Sequence, residues 1–213
     1  MPPEPSVKRT VAFFDGQNLY HHAKAAFGYS YPNYSPLALA SEVCRRHGFN
    51  LQGIRFYTGI PSSKADPFWN AFWSAKLLAM SRANITTFSR PLRYRSKTIT
   101  ISPGVEFSTT LGEEKGIDVR IAIDVMRLVR TNQLDVALLF SQDQDFSEVA
   151  DEVRAVAREQ NRWIRIASAF PFGERASNVR GINKTDWIPI DRSLYDACID
   201  KRDYRPPPRS SGH

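Results

Sequence analysis

No stretch of this 213-residue chain approaches the roughly 20 consecutive apolar residues that a helix needs to cross a bilayer. The opening residues, MPPEPSVKRT, carry no hydrophobic segment of the secretory kind. Cysteine is scarce: Cys44 and Cys198 stand far apart, with neither the spacing of a zinc site nor the density of a disulfide framework. Histidine is little better, because His21 and His22 are adjacent and cannot face one metal from a regular helix. These absences exclude a membrane-spanning helix and a Cys/His metal centre, and they predict a protein of a reducing compartment, the cytoplasm. No G-x-x-x-x-G-K-[ST] string occurs, so a P-loop is excluded. Asp15 is followed by Gly16-Gln17-Asn18, which is not the D-x-D-x-[TV] pattern of enzymes that phosphorylate an aspartate. A phosphatase or nucleotide hydrolase acting through Asp15 is therefore disfavoured.

Acidic residues are missing from one long stretch. Residues 67–105 contain none, yet hold Lys76, Arg82, Arg90, Arg93, Arg95 and Lys97. The formal net charge is +7, of which residues 201–213 supply +3 and residues 1–10 supply +1. Without that cationic segment the rest of the body is net acidic. A local basic patch beside an acidic remainder is the electrostatic footprint of a polyanion partner, although charge alone is equally compatible with a solvated face.

What is present is an alternation of apolar runs and helical patterns. TVAFFD, residues 10–15, reads as a buried strand that stops at an Asp-Gly turn. Helices are predicted over 17–27, from Pro36 to about His47, over 66–82, 116–130 and 145–160. Strands are predicted over 51–58, 84–90, 134–141 and 162–169, with a short one at 187–190. Phe68, Trp69, Phe72 and Trp73 fall at helical spacing with Lys76 and Met80, which marks those rings as core. LRYRSKTITI, residues 92–101, sets Arg93, Arg95 and Lys97 against Leu92, Tyr94 and Ser96, as a protruding β-hairpin with one basic face would. The tail RPPPRSSGH is too polar and proline-rich to pack, so residues 1–8 are expected to be flexible, 9–200 to form one domain, and 201–213 to be disordered. Strands alternating with helices imply an α/β domain with a mostly parallel, doubly wound sheet.

Several aspartates sit where such a fold places its ligands. Asp15 ends the first strand, where a turn aspartate would also suit. Asp118 lies about 100° around its helix from Ile117, inside the apolar arc, at an N-terminus that the sheet's carboxyl edge faces. Favourable pairing with the helix dipole is its ordinary explanation. Asp124, flanked by Arg120 and Arg127, reads as a helix ion pair. In SQDQDF, residues 141–146, Asp145 with Glu148 fits a capping box, but Asp143 precedes the cap and is not explained by it. With a strand order of 3-2-1-4-5, the strands ending at Asp15 and Ser141 are neighbours at the topological switch point. Carboxylates gathered there repel one another, and a hard divalent cation offsets that repulsion. Oxygen-only ligands favour Mg²⁺ or Mn²⁺ over Zn²⁺. Such a site activates water and clamps phosphoryl charge, which suits hydrolysis of a phosphodiester.

FFDGQNLY (13–20), EKGIDVRIAIDVMRL (114–128) and SQDQDF (141–146) together resemble the NYN-domain proteins of the LabA-like type, relatives of the PIN-domain nucleases. The resemblance extends over about residues 9–190, SNVRGINKTDWIPI included. It implies a PIN-like doubly wound fold and an Mg²⁺- or Mn²⁺-dependent ribonuclease activity. By that resemblance Asp15 is the first acidic ligand, with Asn18 holding the metal or its water. Asp118 is the acid brought in by the helix, Asp143 and Asp145 close the set, and Ser141 orients a carboxylate or a water. The tract 92–112 is longer and more basic than a minimal member has, and is read as a ribbon gripping substrate through Arg90, Arg93, Arg95 and Lys97. Lys115 is a further candidate for a phosphate. The expected partner is RNA, with no membrane; the oligomeric state, a homo-oligomer included, stays open. A second class of function, an RNA-binding regulatory module with little turnover, keeps the same basic ribbon and acidic pocket.

Overall fold

In the computed structural model, residues 2–102, 105–176 and 178–207 are described, with the backbone alone for 96–111. Six strands form a parallel sheet: β1 (Arg9–Asp15), β2 (Asn50–Ile60), β3 (Thr86–Pro91), β6 (Val136–Phe140), β7 (Arg165–Pro171) and β8 (Asp186–Ile190). They run in the spatial order β3-β2-β1-β6-β7-β8. The remaining two, β4 (Arg93–Ser102) and β5 (Val105–Glu113), pair antiparallel as a separate ribbon. Helices α1 (Gly16–Phe27), α2 (Pro36–His47), α3 (Pro67–Arg82), α4 (Ile117–Arg130), α5 (Phe146–Glu159) and α6 (Arg192–Ala197) complete the chain.

The central strand shows why the sheet is covered on both sides. Side chains alternate across a strand, and in β1 both parities are apolar. Ala12 and Phe14 enter one core with residues of α1, α2, α3 and α6, while Val11 and Phe13 enter a second with α4 and α5. Phe14 lies flat on Phe140 of the neighbouring strand, ring centroids 4.0 Å apart. Each such fully buried ring stabilises the fold by about 1.5–3 kcal/mol. Among the described residues no helix is long and apolar enough to cross a membrane.

Four details differ from the sequence reading. Asp15-Gly16 is not a turn: the chain passes directly from β1 into α1, with Asp15 as the N-cap accepting the Asn18 N–H at 3.1 Å. Gly16 is needed for closeness, since a Cβ there would lie 2.6 Å from the Phe56 ring and 2.9 Å from the Tyr57 carbonyl oxygen. Because Phe56 is itself fully buried, Gly16→Ala is expected to destabilise the protein by about 1–3 kcal/mol. A urea unfolding midpoint lowered at constant slope is the readout. The aromatic face of α3 is only half core: Phe72 and Trp73 are buried, but Phe68 is exposed and Trp69 is half-buried. Helix α6 was not anticipated. Within 201–213, the segment expected to be disordered, the Tyr204 ring packs edge-on to Phe72 and its hydroxyl donates to Asp200 at 2.7 Å, while residues 208–213 lie outside the described residues.

Candidate active site at the carboxyl edge of the sheet

Phe14 and Phe140 are register partners, so Asp15 and Ser141, which follow them, leave the sheet side by side. After β1 the chain turns into α1 on one face, and after β6 into α5 on the other. The two departures in opposite directions open a crevice at the switch point.

Asp15 is buried in that crevice. Its Oδ1 accepts the Asn18 N–H and its Oδ2 accepts the Ser141 hydroxyl at 3.2 Å. Ser141 Oγ also accepts the Asp143 N–H at 3.2 Å, which ties the following loop to the same carboxylate. Asn18 uses its side-chain oxygen on the Gln142 N–H at 3.0 Å. It therefore serves first as a clasp between α1 and the loop after β6. The loop is held from its far side too. Gln142 Nε2 donates to the carbonyls of Asn178 and Arg180, at 3.2 and 2.7 Å. Gln144 Nε2 donates to Gly181 O at 3.1 Å and Gln144 Oε1 accepts the Asn183 N–H at 3.0 Å.

Asp143 and Asp145 project from this loop, Asp143 half-buried and Asp145 exposed. Asp145 stands in the N-cap position of α5 but makes no side-chain cap bond, and its backbone is already helical at φ −61° and ψ −25°. The capping-box explanation is thereby removed; instead its N–H donates to Asp143 Oδ1 at 3.0 Å. Asp118, in the first turn of α4, follows Gly116, whose positive φ of 74° makes the tight entry to that helix.

A further acid escaped the sequence reading. Glu114, between β5 and α4, is half-buried and accepts the Gly59 N–H at the end of β2. No periodic pattern marks it; its only signal was its place in EKGID, four residues before Asp118.

The electrostatics of this edge are unusual for the molecule. Burial pushes the Asp15 carboxyl up to about 7, opposed by the Asn18 N–H and reinforced by Asp118 and Asp143. Burial likewise pushes Glu114 up to about 8, with Asp15 adding to it. Asp118 is raised by burial and then by Asp143 and Asp145. Elsewhere buried carboxylates are neutralised. Asp124 is surrounded by Arg120 at 3.1 Å, Arg127 at 3.0 Å and Arg55 at 3.8 Å, and accepts the Tyr57 hydroxyl at 2.9 Å. Asp135 is paired with Arg9 at 2.8 Å. Among the described residues none of Asp15, Glu114, Asp118, Asp143 and Asp145 forms an ion pair. An uncompensated buried carboxylate is costly. All the donors are hard oxygens, the set that suits a divalent cation of the Mg²⁺ class. Their side chains are nonetheless spread: among the described residues no three His, Cys, Asp or Glu groups are arranged to hold a metal ion.

The cationic residues fall in two places. Arg90, the next-to-last residue of β3, lies over the Phe88 ring, and its guanidinium would lie 2.7 Å from a Cβ on Gly116, so it borders the N-terminus of α4. Lys115 is exposed beside it. Arg93 and Arg95 are exposed at the base of the ribbon, but Arg95 is engaged by Glu113 at 3.4 Å. The side chain of Lys97 lies outside the described residues.

Compared with known sequence families, residues 9–174 match the NYN domain. The chain belongs to the NYN-domain family. That family is nuclease-like and of PIN fold, and its members generally use divalent metal ions. No curated protein sequence matches this NYN domain. Its fold is similar to the crystal structure of a protein of unknown function from Vibrio parahaemolyticus, at 17% identity and a TM-score of 0.54, covering 90% of this chain and 98% of that one. A ribokinase from Giardia lamblia overlaps less, at 10% identity and a TM-score of 0.40 over 86% of this chain and 58% of that one.

Proposed function

We propose that this NYN domain is a metal-dependent ribonuclease that hydrolyses RNA phosphodiester bonds at its acidic crevice. The observation that supports this most is the contrast in charge compensation. The chain surrounds Asp124 with arginines, yet leaves the carboxylates of the crevice without an ion-pair partner. Asp15, Glu114, Asp118 and Asp143 would hold Mg²⁺ or Mn²⁺, with Asp145 at the rim. A bound ion of this class supplies an activated water at neutral pH and positive charge for the phosphoryl transition state.

The chain's own residues set the geometry. Ser141 fixes Asp15 and, through the Asp143 N–H, the loop that carries the next acid. Asn18 positions that loop rather than meeting substrate. Arg90 and Lys115, which border the N-terminus of α4, would take phosphates of the strand. Arg93 extends that path onto the ribbon, where Arg95 contributes only if Glu113 releases it.

A second reading, an RNA-binding regulatory module with little turnover, is favoured by one observation, the spread of the carboxylates noted above. A labelled RNA of defined sequence, titrated with Mg²⁺ and with Mn²⁺ and end-mapped, separates the two. Cleavage that rises with either ion and disappears on chelation is the expected result. Tight RNA binding with no cleavage under any ion would replace the ribonuclease by the regulatory module.

A further inference from the structure

Between α1, α3 and the base of the ribbon lies an open cleft of about 460 Å³, within the range of about 300–1,000 Å³ typical of ligand sites. Its walls carry three partly exposed aromatic rings: Tyr20 from α1, Trp69 from α3 and Tyr94 from β4. Tyr20 and Trp69 form a tilted aromatic pair, centroids 6.5 Å apart and inclined at 48°, and both line the cleft. Two of the rings are fixed before anything binds. The Tyr20 hydroxyl donates to the Ser30 carbonyl at 2.8 Å, and the Tyr94 hydroxyl accepts the Ser62 N–H at 3.1 Å. Rings held in place lose little freedom on binding a ligand.

The cleft adjoins the acidic crevice through one glycine. Gln17 lines the cleft and donates to the Gly59 carbonyl at 3.2 Å, while the N–H of the same glycine binds Glu114. Leu92, on the opposite wall, packs against Gly59 so closely that a Cβ there would strike it. The charge along the cleft suits an anionic strand. Lys24 is the cation exposed on its wall; His21 beside it is held toward its neutral form by burial and by Lys24, so it offers a ring rather than a charge, and the acid that lines the cleft, Asp66, is engaged as the N-cap of α3, accepting the Trp69 N–H at 3.0 Å.

We infer that this cleft binds an unpaired base of the RNA strand whose phosphates enter the acidic crevice. The strand's path rests on the ribonuclease proposal; the cleft's affinity for a base does not. Paired bases keep their faces inside the helix, whereas an unstacked base offers a π-face to tyrosine and tryptophan and its phosphate to lysine. The ribbon is thus a wall of the base site through Tyr94 as well as a carrier of positive charge.

The test measures anisotropy of a short fluorescein-labelled single-stranded RNA with the full chain, divalent ions chelated so that cleavage plays no part. Trp69→Ala and Tyr94→Ala are each expected to weaken binding roughly 5- to 150-fold, the loss of about 1–3 kcal/mol per stacked base. Trp69→Phe should keep most of the affinity, and the annealed duplex should bind the wild type more weakly than the single strand. A strand made abasic should bind wild type and Trp69→Ala alike. Circular dichroism establishes folding, and should Trp69→Ala not fold, Tyr94→Ala at the exposed ribbon base carries the comparison. Single-strand binding unchanged in both variants, an abasic strand bound as tightly as the intact one, or preference for duplex would each overturn the base site. If base-dependent binding holds but no ion elicits cleavage, the ribonuclease proposal falls and the base site stands; metal-dependent cleavage with no effect of the aromatic variants gives the reverse.

Discussion

With divalent ions chelated at about pH 8, the Asp15→Asn protein is expected to unfold at a higher temperature than the wild type. Asp15 has its folded value raised from 3.8 to about 7 and Glu114 from 4.5 to about 8. Between the ordinary and the raised value, the native state keeps a proton that the unfolded chain has lost. Native stability therefore falls as pH climbs across this window, from about 4 to about 8, and each unit of difference corresponds to about 1.4 kcal/mol. The two acids influence each other, so the whole effect is a few kcal/mol rather than the sum of two separate shifts. Asparagine caps a helix about as well as aspartate, so the Asn18 N–H keeps its partner while the buried charge is gone. For a chain of this length each kcal/mol recovered raises the midpoint by about 2–4 °C. Near pH 4, where wild-type Asp15 is protonated, the two proteins should melt together. Saturating Mg²⁺ or Mn²⁺ should raise the wild type and leave the variant behind, because only a native state with the full acid set gains from binding the ion. An Asp15→Asn protein that melts below wild type at the higher pH would show that burial and the neighbouring acids do not disfavour the Asp15 charge.

The largest effect is expected on catalysis. Asp15→Asn and Asp143→Asn should each lower metal-stimulated RNA cleavage by on the order of 100-fold or more, since even groups that only support a metal ligand are worth about 10- to 100-fold. Both proteins should remain folded by circular dichroism and keep single-strand RNA affinity in chelator, which assigns the loss to chemistry. Asp124→Asn is the opposing control. It disrupts the arginine and Tyr57 network on the helix flank, so it should cost stability at every ion concentration and leave the metal dependence of the remaining folded protein in place. Undiminished cleavage by Asp15→Asn and Asp143→Asn together would reject the site assignment while leaving the fold untouched.

How far the sequence disclosed this site depends on how local each signal is. Asp15 and Asp143 are legible because each follows an unbroken apolar strand, and a residue just past such a strand lies at a known edge. Asp118 was legible from angle alone, since helical periodicity puts it on the buried stripe. Glu114 was not, because its burial is decided by Gly59, far away in sequence at the end of another strand. The capping-box alternative for Asp145 fails for the opposite reason: the D-x-x-E spacing is local, but Asp145 makes no side-chain cap bond, its backbone is already helical and its N–H is tied to Asp143. In α3 the spacing of aromatics predicted burial for four rings. Periodicity reports which face a ring occupies, not whether a neighbouring element ends short of it, and the cleft exists because α1 and the ribbon leave Trp69 partly uncovered.

The glutamine clasps on the loop after β6 bear on where this protein can be trimmed. The stretch shared with the family closes at residue 174, yet the carbonyls that receive Gln142 and Gln144 belong to residues 178–181, and Ile182 presents its N–H to Ser168 at 3.2 Å. A recombinant fragment stopped at the shared boundary would keep every acidic side chain of the crevice and discard the buttress that aims Asp143 and Asp145, together with the last strand of the sheet.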